Sequence, residues 1–148
     1  MPLRDSWQTR IKAVDRQFAA VQLAVSRLLE EGRRNPTILK CGVQHRDVVN
    51  AAKDLEGTCI IRLFAEFESG LRQYWETIAL SHPKTKDLLD SLAARCRIGN
   101  DQRDNAHPIR EYRNSLVHER EDEEVAPVPI AEARGYLCTF FSFLPRQW

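Results

Sequence analysis

Apolar side chains recur at spacings of three and four along most of this chain, the period of a helix with one buried face. Trp7, Ile11, Val14, Phe18, Val21, Val25 and Leu28 step 4-3-4-3-4-3, an unbroken heptad seam that predicts a helix over residues 4–32. Gly32 and then Pro36 end it, and residues 33–46 read as a connection that Leu39 and Val43 pin down. The pattern resumes at Asp47, a suitable N-cap, and runs to about residue 80 with a weak point at Gly57. Within that stretch Ile60, Phe64, Phe67, Leu71, Tyr74 and Ile78 form the stripe richest in aromatics, and this predicts the central core helix. A shorter helix over 84–98 follows, with Leu88, Leu89, Leu92 and Cys96 inward. Residues 99–108 are polar and rich in breakers, and predict a loop. Pro108 then opens a helix on which Ile109, Tyr112 and Leu116 make the apolar stripe. The acidic run 119–124, Pro127 and Pro129 close it, and a last helix over 129–143 buries Ile130, Ala133, Tyr136, Leu137, Phe140 and Phe141. No segment alternates as a strand does. The expected fold is all-α: an antiparallel helical bundle of about five helices in a single domain, 1–148. The seam of residues 1–32 must be buried, and packing on the bundle is preferred over packing on a partner.

Composition narrows the class. With 148 residues the chain suits one domain with a real core. The 22 Lys and Arg nearly balance the 21 Asp and Glu, so no bulk basic character points to nucleic acid. The balance is uneven along the chain, however: residues 1–53 hold 10 basic and 5 acidic side chains, a net +5, and the remainder nets −4. No apolar run approaches the ~20 residues of a membrane span, and no secretory signal opens the sequence. Cys41, Cys59, Cys96 and Cys138 are widely spaced and are read as free thiols in a reducing cytoplasm, the last three as small core residues. Cys41 and His45 are zinc-ligand types with no second pair to answer them, so neither a metal nor a cofactor is expected.

Candidate chemistry is concentrated on the helix after Pro108. Arg113, Asn114 and His118 fall within six residues. At about 100° per residue, Arg113 lies about 40° from Ile109, at the edge of the buried face. Asn114 and His118 share the opposite face at the i,i+4 spacing, so they can approach one target together. Arg113 and His118 are about 140° apart on a lone helix, which favours a site completed by a second copy. Arginine carries a permanent charge on a fork that matches phosphate oxygens, and histidine titrates near neutrality and serves as base or acid. Together they suffice for RNA cleavage without metal. Glu66 and Glu68 flank the central stripe, either as solvated surface carboxylates or with one of them orienting Arg113. Arg103 and Arg110, with Arg95, Arg97 and Arg113, are the cations available for a local RNA-binding patch. His107 reads as a capping or surface residue. Against catalysis stands the acidic run directly after His118, which repels RNA unless it points away.

The run Arg113-Asn114-Ser115-Leu116-Val117-His118 resembles the signature of the HEPN superfamily, an Arg, a polar residue, three further positions and a His on a helix. The segment Ile60–Leu71 is similar to that family's Phe-Glu-x-x-Leu helix, here Phe67-Glu68-Ser69-Gly70-Leu71, and this resemblance picks out the position of Glu68 over that of Glu66. The layout covers about residues 55–143, and the six-residue motif is its sharp part. Arg120 stands where some toxin members carry a Tyr two residues after the His. The resemblance implies a HEPN-like helical domain acting as a metal-independent endoribonuclease, a toxin or defence effector. Its site would lie at a homodimer interface, and an antitoxin or a neighbouring defence protein would be a partner. The same family contains non-catalytic modules for RNA binding or dimerisation, and that alternative stays open at this point.

Overall fold

The computed structural model describes residues 2–118 and 124–148, and it is an all-α bundle. Among the described residues the helices are α1 (Leu3–Arg34), α2 (His45–Glu76), α3 (Thr85–Arg95), α4 (Asn100–His118) and α5 (Ile130–Ser142), with a 3₁₀ turn at Pro36–Ile38. No strand occurs among the described residues. None of the helices is long and apolar enough to cross a membrane.

Helices α1 and α2 have 32 residues each, about 48 Å of helix, and pair antiparallel. The register is fixed by cross-helix contacts: Trp7 Nε1 donates to Gln73 Oε1 at 2.8 Å, Arg10 lies 3.9 Å from Glu66, and Arg62 Nη2 donates to Gln17 at 3.1 Å. The expected boundaries of both helices hold to within a few residues. Asp47 is not the N-cap of α2 but its third residue. It accepts from the Gln44 backbone N–H at 2.8 Å, while the Gln44 side chain answers at the Asp47 backbone, so the pair forms a capping box. Gly57 does not weaken α2. A Cβ there would lie 3.3 Å from Leu116 Cδ2, so the missing side chain lets α4 approach.

The core lies where the lower half of this hairpin meets α3, α4 and α5. Ile60, Leu63, Phe64, Phe67 and Leu71 of α2 are fully buried against Ile11 and Val14 of α1, Leu88, Leu89 and Leu92 of α3, Ile109 of α4, and Leu137, Phe140 and Phe141 of α5. Phe67 sits edge-on to Phe140 and Phe141, with ring centroids 5.6 and 6.3 Å away. Such tilted aromatic contacts add to the large apolar area removed from water. The ends are tied by side chains reaching across the chain. Glu56 of α2 accepts from the Ile130 N–H at 2.9 Å, which caps α5 and places a negative charge at its N-terminus. Arg4 donates to the carbonyls of Ser142 and Leu144 at the other end of α5.

Only part of the heptad seam enters this core. Ile11, Val14 and Phe18 are buried; Val21 and Leu28 are exposed. On α2 the continuous burial begins at Cys59, which the antiparallel register places level with Phe18. Beyond that level the two helices run on as an arm, where only Gly32 and Val48 are buried. Cys59 is a core thiol as expected, Cys96 and Cys138 are half-buried beside the core, and Cys41 is exposed at the arm's tip.

Candidate functional site

The helix bearing the motif is longer than its sequence suggested. Residues 100–108 are not a loop: α4 begins at Asn100, and Pro108 lies inside it. Only Ala106 and Ile109 of this helix are fully buried, so most of its length carries polar residues and imitates a loop. The proline is tolerated because the carbonyl deprived of its donor belongs to Asp104, and both residues face solvent, where water replaces the bond. The stripe behaves as expected, with Ile109 buried and Tyr112 and Leu116 half-buried against the core.

Arg113 is built into the protein. Its Nη2 donates to Glu68 Oε2 at 2.7 Å, its Nη1 donates to Asn114 Oδ1 at 3.0 Å, and its Cζ stands 5.0 Å above the Phe64 ring. The expected pairing of Glu68 with Arg113 across α2 and α4 is therefore present. Glu66 instead faces Arg10 near the surface. The other Glu68 oxygen accepts from Arg72 Nη2 at 2.7 Å, Arg72 Nε at 3.1 Å and the Thr85 hydroxyl at 2.7 Å. Arg72 also donates to the Pro83 carbonyl at 3.0 Å. One carboxylate thus joins α2, the start of α3, and α4. Burial pushes the Glu68 carboxyl up. The hydrogen bonds from Thr85 and Arg72 and the charges of Arg72 and Arg113 outweigh it and hold the group below the ordinary glutamate range.

His118 is the last residue of α4 and is exposed. It stands about 7.5 Å beyond Arg113 along the helix axis and, by the helical repeat, on another side of it. Asn114 turns toward Arg113; no hydrogen bond between Asn114 and His118 occurs among the described residues, so the expected partnership is not formed within one chain. The two halves of the motif are in different environments: a half-buried guanidinium with a side chain 22% exposed, and an imidazole in solvent. The expected effect of the acidic run concerns residues 119–123, which lie outside the described residues, together with Glu124, which is exposed.

Arg103 and Arg110 are less available to a ligand than their positions suggested. Arg103 pairs with Asp104 at 3.0 Å. Arg110 is mostly buried, 16% exposed in its side chain, and pairs with Glu111 at 3.3 Å. His107 is neither a cap nor a surface residue. Its Nε2 lies 2.8 Å from Asp90 Oδ1, which ties α4 to α3. Reasoning from the sequence passed over Arg72, Thr85, Phe64 and Asp90 as parts of this region. The i,i+4 spacing of Glu68 and Arg72 was a usable signal. Thr85 and Asp90 gave none, because only the packing of α3 brings them near. Among the described residues no three His, Cys, Asp or Glu side chains gather as metal ligands. No protein-family model matches the chain, and neither curated proteins nor solved structures yield a match.

Proposed function

We propose that this protein is a metal-independent endoribonuclease of the HEPN type, a toxin or defence effector whose site is completed across a homodimer. The observation that carries the reading is an exposed His118 on the same helix as an Arg113 whose guanidinium is held in place by a carboxylate from another helix. A fixed cation and a solvent-facing acid–base group brought to one phosphate are the minimum that phosphodiester cleavage by an internal nucleophile requires. The imidazole of one protomer takes the proton of the ribose 2′-hydroxyl as its oxygen attacks the adjacent phosphorus. The guanidinium offsets the charge gathering on the phosphoryl oxygens. The imidazolium of the other protomer protonates the departing 5′-oxygen, leaving a 2′,3′-cyclic phosphate and a 5′-hydroxyl. Two of the five N–H groups of Arg113 are used by Glu68 and Asn114, which orients the fork and leaves donors for phosphate. The divergence of Arg113 and His118 by about 140° around α4 supports composition from two copies.

A second reading, a non-catalytic RNA-binding or dimerisation module, is favoured by one specific feature. Arg113, with donors engaged on both terminal nitrogens and an aromatic ring beneath it, has the bonding of a structural strut. The two readings separate on one measurement. Single-stranded RNA incubated with the protein in EDTA should yield fragments ending in 2′,3′-cyclic phosphate, and His118→Ala should slow their appearance by about 10²–10⁴-fold. His118 is exposed, so the substitution leaves the fold intact. Cleavage at the parental rate by His118→Ala, or no cleavage by the parent, rules out the nuclease.

A further inference from the structure

We infer that the basic face of the α1–α2 arm is the track that holds the backbone of single-stranded RNA. The inference rests on the nuclease reading for its substrate, but on separate residues for its argument.

The positive charge of the arm is gathered at its tip, between Glu31 and Asp47. Residues 32–46 contain Arg33, Arg34, Lys40 and Arg46 and no Asp or Glu. All four are exposed, as is Lys53 further along α2. Arg34 is paired with Glu30 at 3.0 Å, whereas no ion pair of Arg33, Lys40, Arg46 or Lys53 occurs among the described residues. Like charges gathered without partners repel one another, and a polyanion relieves that cost.

The charges also point somewhere. Arg46, Lys53 and Gly57 are seven and then four residues apart, so they share one side of α2 to within about 40°. That side meets the end of α4, because Gly57 is where Leu116 rests. Lys53, Asp54, Gly57, Thr58 and Ile61 of α2 line a groove of about 370 Å³ against Tyr112 and Leu116. His118 follows Leu116 by two residues, which turns it about 200° round α4, away from this groove. Arg46 is about 16 Å from Gly57 along the axis, so the cations run from the arm's tip to the Leu116 end of α4. At the tip itself, an open cleft of about 410 Å³ is lined by Arg33, Pro36, Leu39, Val43, Gln44 and His45. A planar guanidinium, an imidazole and apolar walls are the surfaces on which an unstacked base rests. Two acids oppose the track. Asp47 already accepts from the Gln44 N–H, and Asp54 lines the groove next to Lys53. Their presence favours a flexible single strand, whose phosphates can avoid them, over a rigid duplex.

The test is binding of a fluorescently labelled 20-nucleotide single-stranded RNA, followed by anisotropy at several salt concentrations. It uses the full chain carrying His118→Ala so that the RNA is not consumed. Adding Arg33→Ala, Arg46→Ala and Lys53→Ala together should weaken affinity at least tenfold at low salt. It should also flatten the dependence of log affinity on log salt by about 0.7 for each phosphate no longer neutralised. Lys86→Gln, an exposed change on α3 away from the track, should alter neither. The inference is overturned if the triple variant binds like its parent, if Lys86→Gln weakens binding as much, or if the parent binds no RNA. It survives failure of the nuclease reading: binding through the arm does not require cleavage, and residual cleavage by His118→Ala leaves the comparison of affinities in place.

Discussion

The same two helices behave differently above and below the level of Phe18 and Cys59. Val14, Val21 and Leu28 occupy one heptad position in successive heptads, yet they are 3%, 45% and 36% exposed. The sequence pattern is identical; what changes is what lies on top. Below, α3, α4 and α5 cover the hairpin and complete a core. Above, each helix has only the other. A two-helix hairpin has no third layer to bury its apolar faces, so its residues gain little from their hydrophobicity. The core half is therefore expected to set the global stability and the arm to open locally at lower cost.

Removing one large side chain from each half puts this contrast under the greatest strain. Phe67→Ala empties the centre of the aromatic cluster and should cost about 3–5 kcal/mol in chemical denaturation. Leu23→Ala, at an exposed arm position, should stay within about 0.5 kcal/mol. Equal losses at the two sites would show that the arm is as integral as the core.

Glu68→Gln comes next in size. It removes the charge that two guanidinia and a hydroxyl share at the junction of α2, α3 and α4, and should cost about 2 kcal/mol at neutral pH. The folded protein holds this carboxyl below its ordinary range, so its stabilisation is fully present above the unfolded-state value. It fades as pH falls through the lower, folded-state value. The stability gap between parent and Glu68→Gln should accordingly narrow in acid, as measured by denaturant titration at successive pH values. A gap independent of pH would mean that the carboxyl does not owe its contribution to ionisation.

The smallest effect concerns two turns with the same backbone conformation. Arg97, just past α3, and Cys41, at the arm's tip, both adopt left-handed φ, 54° and 61°. For side chains other than glycine that conformation costs roughly 1–2 kcal/mol. Arg97 closes α3 in a motif in which the Ile98 N–H bonds the Ala93 carbonyl at 2.9 Å. Arg97→Gly should raise global stability by about 0.5–1 kcal/mol after the extra entropy of the unfolded glycine is counted. Cys41→Gly should leave the global transition where it is and only slow amide exchange in the arm, if the arm opens on its own.

The helical class was legible because the apolar period is strong in α1, α2, α3 and α5, where it recurs over several turns. It was lost at residues 100–108, where α4 buries Ala106 alone before Ile109 and a proline interrupts the run. The Glu68–Arg113 contact was legible only in outline, since Glu66 and Glu68 both border the central stripe and the resemblance, not the period, favoured Glu68. Its remaining partners were not. Thr85 and Pro83 have no sequence relation to Arg113 or Glu68 that fixes their distance. Arg103 and Arg110 looked like free cations because a sequence shows charge but not the neighbouring acid or the burial that removes it from use.

Period and spacing were enough to establish that this chain is helical, where most of the helices run, and that Arg113, Asn114 and His118 lie on one of them. These are local consequences of the order of residues. Packing in three dimensions settled which half of the heptad seam is buried, that Asn114 serves Arg113 rather than His118, and that Leu116 of α4 rests against Gly57 of α2. Such outcomes depend on which surfaces meet, and a one-dimensional pattern records the readiness of a face to be covered without recording what covers it.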